Sequence, residues 1–170
     1  MAIYLIANGP MPTAASQVAV TTGTAIKTML QVKSGLTLPG RMRIVEWGIS
    51  FSGSVAAEPI LCELMSTGTV AATVTAHALT GIQNIDPLGT APTTSLPFTC
   101  GVATTGYTAT AEGTITESRM LDCQLVAPTG QYVKQWPLGR EPQFAAANFL
   151  RIRVKAAAAV NAICYVIIEV

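Results

Sequence analysis

The sequence predicts an all-β domain, a jelly-roll-like sandwich or barrel of about eight or more strands. Three observations predict it. Apolar residues recur at every second position in most segments, as in a strand with one buried face. Turn residues punctuate those runs, at Pro39-Gly40, Gly53, Pro128-Thr129-Gly130 and Pro137-Leu138-Gly139. No segment sustains an apolar period of 3.6 residues.

Residues 2–7 read as an N-terminal strand or arm, so that 1–23 stand apart from a single β-sandwich domain over 24–170. In 26–32, Ile26, Thr28, Leu30 and Val32 share one parity. In 41–51, Met42 and Ile44 alternate, then Val45, Trp47, Ile49 and Phe51 alternate on the opposite parity. A parity switch within one strand marks a β-bulge near Ile44 and Val45. Residues 59–65 and 119–126 are further strands, and in the second Leu121, Cys123 and Leu125 are expected to face the core. Weaker strand patterns occupy 70–76, 107–111 and 131–135. Residues 71–79 also suit one short helix, and 142–148 a helical turn. Residues 86–106, with Pro87, Pro92 and Pro97, form a long irregular loop.

The C-terminal strands carry the clearest patterns. Over 149–155, Leu150, Ile152 and Val154 point one way, while Arg151, Arg153 and Lys155 form a basic stripe pointing the other, with Arg41 and Arg43 as candidate neighbours. Over 162–170, Ala162, Cys164, Val166, Ile168 and Val170 line one side and Ile163, Tyr165 and Ile167 the other. A strand apolar on both faces is covered on both sides or packs at a subunit contact.

Composition points the same way. The 170 residues make one domain of ordinary size, half of it hydrophobic. Charged residues are only 11%, against roughly 25% in a typical soluble domain. Such a chain covers its surface with Thr, Ser and Gly or hides it against partners. The mean hydropathy is +0.46. A net charge of +1 argues against a nucleic-acid partner. All ten Lys and Arg lie outside the interval between Arg43 and Arg119, which holds Glu46, Glu58, Glu63, Asp86, Glu112 and Glu117. The opening MAIYLIANGP has no basic n-region, and no apolar run reaches the roughly 18 residues of a membrane span. No membrane partner and no signal peptide are therefore expected. Cys62, Cys100, Cys123 and Cys164 are widely spaced and read as reduced thiols.

No motif carries chemistry. His77 is the single histidine and has no acid nearby in sequence, so a Ser-His-Asp arrangement would need spatial assembly. The carboxylate pairs Glu58/Glu63 and Glu112/Glu117 lack the aromatic cleft a glycosidase needs, since aromatics are 6%. No metal-ligand spacing or phosphate-binding glycine loop occurs. The expectation is a non-enzyme with no catalytic residue, metal or cofactor. Trp136 and Arg140, in a Pro-bounded segment, suit an interface, against a rigid turn whose Trp136 caps the core.

Residues 24–31 (TAIKTMLQ), 44–51 (IVEWGISF) and 130–141 (GQYVKQWPLGRE), with the closing pattern of 149–154 and 162–170, resemble small structural proteins of tailed bacteriophages, notably those of actinobacteria. The resemblance implies a virion component made in the host cytoplasm. A capsid decoration or cement protein on the capsid surface, binding the major capsid protein as a homo-oligomer, with a trimer preferred, fits it best. The alternative is a receptor- or carbohydrate-binding β-sandwich of a tail or fibre, for which exposed aromatics and acidic loops are sparse. The expected interface residues are Ile3, Leu5, Ile6, Trp136, Arg140, Arg151, Arg153, Ile163, Tyr165 and Ile167.

Overall fold

The computed structural model describes residues 2–12, 14–35, 42–53, 58–86, 88–89, 91–93 and 97–170. Pro39-Gly40, Arg41 and Pro87 lie outside the described residues. Twelve strands follow one another: β1 (Ile3–Ala7), β2 (Val20–Thr21), β3 (Lys27–Lys33), β4 (Arg43–Ser52), β5 (Ile60–Thr67), β6 (Thr73–Ala76), β7 (Ile82–Asn84), β8 (Gly106–Ala111), β9 (Ser118–Val126), β10 (Gln131–Gln135), β11 (Phe149–Lys155) and β12 (Asn161–Glu169). The one helical element among the described residues is a 3-10 turn at Leu79–Gly81. The segment 71–79, which suits a short helix by sequence, instead contains β6.

Two antiparallel sheets pack face to face as a β-sandwich. Sheet A runs β10-β4-β12-β1-β7, with β2 on β12, and sheet B runs β6-β8-β3-β11-β5-β9. None of these pairs joins strands that are consecutive in the chain. The chain mostly changes sheet at each connection, so the sandwich closes only through contacts distant in sequence. β1 belongs to this closure: it lies between β12 and β7 of its own chain, with Tyr4 opposite Ile168 and Ile6 opposite Val166.

The inner faces follow the alternation read from the sequence. Leu150, Ile152 and Val154 are each 1% exposed, and Ala162, Cys164, Val166 and Ile168 are fully buried. They meet Trp47, Ile49, Leu30, Val32, Cys62 and Leu64 in one core. The β4 bulge is present: Ile167 pairs with Glu46 and Ile168 with Ile44, leaving Val45 as the extra residue. The long loop before β8 is held by Phe98, which is fully buried, bridges to Ser34 and packs edge-on to Tyr4 with ring centroids 5.5 Å apart.

Two expectations fail. In β9 Leu121, at the register shift, packs against the core as expected, but beyond it Asp122, Gln124 and Val126, paired with Leu64, Cys62 and Ile60, share the core-facing side and Leu125 is 68% exposed. The cause is a polar acceptor turned inward: Asp122 accepts the Trp47 indole N–H (3.1 Å) and the Tyr132 hydroxyl (2.8 Å), tying the edge of sheet B to sheet A. The basic stripe does not form one outward-facing patch either: only Lys155 is exposed, and Arg151 has no exposed surface. Nor does Arg43 adjoin it, since Arg43 pairs with Glu169 in sheet A.

Candidate assembly surface

Arg151 is buried because the chain wraps the outer face of sheet B. The β5–β6 and β8–β9 connections run back across β11 and β3. The Arg151 guanidinium donates to the carbonyls of Val70 and Glu112, one from each connection. Gln31, also fully buried, donates to the Ala72 carbonyl and accepts from its N–H. Glu112 accepts from the Thr28 N–H and hydroxyl, and Gly68 donates to the Glu117 carbonyl. These bonds satisfy buried polar groups that would otherwise be left without water. Arg153 is spoken for as well, in a 2.7 Å ion pair with Glu63.

The outer face of sheet A has no such cover at its centre. The outward residues of β12 and β1 stand opposite one another, Leu5 with Ile167 and Ala7 with Tyr165, and Ile163 and Ile3 extend the row. Next to them Gly48 leaves room for the Tyr165 ring, whose hydroxyl donates to Glu46. That hydrogen bond and burial push the Tyr165 phenol up to about 12, burial being the larger cause. Ile3 is 36% exposed, and Leu5, Ile163, Tyr165 and Ile167 are half-buried.

At one end of this face the chain after β1 turns back and walls an apolar groove of about 230 Å³, lined by Leu5, Ala7, Met11, Pro12, Ile163 and Tyr165 among others. Gln17 lies against Gly9 in its wall, and the Gln17 Nε2 is buried with no hydrogen-bond partner among the described residues.

The structure therefore brings five of the expected interface residues onto one surface: Ile3, Leu5, Ile163, Tyr165 and Ile167. Ile6 is corrected to the core, where it is fully buried on the inner side of β1. Arg151 is corrected to an internal anchor. Trp136 is partly buried against the core, and Arg140 stands exposed in the turn that follows it. The groove was not legible beforehand, because residues 9–17 carry no periodic signal. Its one hint is Pro10 and Pro12 directly after an apolar strand.

The groups screened for chemistry are engaged elsewhere. The His77 ring is 3% exposed; its Nε2 lies 2.8 Å from the Ala7 carbonyl and its plane meets the Tyr107 ring with centroids 5.0 Å apart. Burial lowers its pKa, opposed by the bond to Ala7. Glu117 accepts from the Asn148 side chain. Among the described residues no group of three or more His, Cys, Asp or Glu is arranged to hold a metal ion. No helix among the described residues is long and apolar enough to cross a membrane. The four cysteines are free thiols; burial pushes Cys62 up to about 12 and raises Cys164 strongly.

No protein-family model matches the chain, and no curated protein or solved structure is significantly similar to it.

Proposed function

We propose that this chain is a non-catalytic structural protein of a virion, a decoration or cement protein that binds and stabilises a lattice of the major capsid protein as an oligomer. The observation that carries the reading is the asymmetry of the sandwich. One outer face is covered over β3 and β11 by two connections of the same chain, held by Arg151 and Gln31. The other presents Leu5, Ile163, Tyr165 and Ile167 in a continuous apolar row. Contiguous apolar surface of that kind marks an interaction site. The sparse charge, 11% of residues, supports a chain whose surface is largely covered in its working state. The phage setting, the capsid-surface location and the trimer rest on the resemblance of 24–31, 44–51 and 130–141.

The test is to purify virions that encode the chain, separate heads from tails, and quantify it in each by mass spectrometry. The proposal expects it in the head fraction at a fixed ratio to the major capsid protein. Its recovery only with tails would overturn the capsid assignment in favour of a tail or fibre module.

A further inference from the structure

His77 is the single histidine of the chain and is 3% exposed, between β6 and the 3-10 turn. Its Nε2 lies 2.8 Å from the Ala7 carbonyl. A carbonyl oxygen can only accept, so Nε2 carries the ring proton and Nδ1 is a bare acceptor in the neutral ring. Burial favours that neutral form by lowering the His77 pKa. Nδ1 has no hydrogen-bond partner among the described residues, yet, unlike the Gln17 Nε2, it is not sealed from solvent. A partnerless acceptor in so buried a ring is uncommon in a folded protein.

Gly81 keeps Nδ1 open. A Cβ at position 81 would lie 2.5 Å from Nδ1, nearer than to any other atom of the ring. The backbone does not demand glycine there, because Gly81 stays out of the left-handed region that Gly23, Gly113 and Gly139 occupy. His77 and Gly81 both line a cavity of about 330 Å³, at the lower end of the size range of small-molecule sites. Pro10, Met11, Ala78, Thr80 and Tyr107 wall it further, and no acidic or basic side chain lines it.

We propose that this cavity binds a small neutral aromatic alcohol, whose hydroxyl donates to the His77 Nδ1 while its ring lies against Pro10, Met11 and Tyr107. The wall selects that class. An anion would meet the Nδ1 lone pair with no cation to offset it, and a cation would find no carboxylate. A sugar would leave most of its hydroxyls against apolar groups, which is costly. A methionine sulfur and a tyrosine ring favour an aromatic body, and one open acceptor calls for one donor. The Tyr107 ring, 5.0 Å from the imidazole between centroids, holds the acceptor in place. Met11 and Gly81 also line the groove beside β1, but the hydrogen bond places the ligand on the His77 side. The site requires neither the open face of sheet A nor a capsid.

Because the chain has one histidine, the full-length protein labelled with nitrogen-15 gives one pair of imidazole nitrogen resonances. At neutral pH they are expected to report a protonated Nε2 and a bare Nδ1. Phenol is the probe, and toluene is the control of similar shape without a donor. Phenol is expected to shift the Nδ1 resonance saturably, to leave Nε2 protonated, and to bind about tenfold more tightly than toluene, the scale of one hydrogen bond to an otherwise unpaired acceptor. Ala78→Phe, at an exposed position on the cavity wall, is expected to abolish the shift with the circular dichroism unchanged. Gly81→Ala, which fills the space before Nδ1, takes its place should Ala78→Phe fail to fold. A protonated Nδ1 in the unliganded protein, a phenol shift that never saturates, toluene binding as tightly as phenol, or an undiminished shift in the folded variant would each overturn the proposal.

Discussion

The ring of Tyr165 lies across Gly48 on the neighbouring strand, so close that a Cβ at position 48 would come within 2.6 Å of it. The absent side chain lets the ring lie low on sheet A and reach Glu46, which makes the open face smooth. Gly48→Ala should therefore displace the ring and destabilise the fold by about 1–2 kcal/mol, the usual scale of overpacking. In a Tyr165→Ala background the same change should be neutral or stabilising, since alanine is the less flexible residue. A double-mutant cycle by urea denaturation measures the coupling directly.

Arg151 anchors the wrapping of sheet B, and its removal should be felt throughout that face. Arg151→Glu leaves the Val70 and Glu112 carbonyls without their donor and buries a negative charge. A loss of about 3–5 kcal/mol is expected. Hydrogen exchange should quicken first in 68–72 and 112–117. Arg153→Glu, in a pair of which each side chain is 12% exposed, should cost less. Equal effects of the two changes would contradict the anchoring role.

The two phenols raised by burial, and further by their carboxylate neighbours, set an alkaline limit. Tyr132 and Tyr165 are each pushed up to about 12 in the fold, from an ordinary value of 10.0. Each folded state holds its proton more tightly than the unfolded chain. The stability this brings is complete below pH 10 and is lost as pH rises towards 12. Tyr132→Phe and Tyr165→Phe should each flatten the decline between those values in thermal melts. Unchanged pH profiles would show that the bonds to Asp122 and Glu46 do not govern it.

Four free thiols should divide into two classes. Cys62 and Cys164 are buried in the core, while Cys100 and Cys123 are partly exposed. Ellman titration of the native protein should find two reactive groups, and after denaturation without reductant it should find four. Fewer than four would mean a disulfide that the structure does not contain.

Much of this architecture is legible in the alternation of side chains. Leu150, Ile152 and Val154 declare their buried parity because their neighbours are charged, whereas over 162–168 both parities are apolar and the alternation alone does not say which one enters the core. The parity break at Val45 likewise announces its bulge. β9 misleads because a register shift after Leu121 leaves Cys123 and Leu125 on the parity opposite Asp122, and the inward acid looks like a surface residue. The signal that could have corrected it is Trp47, whose buried indole N–H requires an acceptor. The burial of Arg151 is invisible locally, since its cover comes from Val70 and Glu112, 81 and 39 residues away. β2 and β7, two and three residues long, are too short for any periodicity.

The central claim is that the outer face of sheet A, and not that of sheet B, is covered when the protein assembles. Hydroxyl-radical footprinting of wild-type protein across the concentration range of assembly reads this side chain by side chain. The account predicts that Leu5, Ile163, Tyr165, Ile167 and Met11 lose reactivity on assembly, while Met120 and Leu125 at the edge of sheet B keep theirs. Protection of Met120 and Leu125 with Tyr165 unchanged would contradict it.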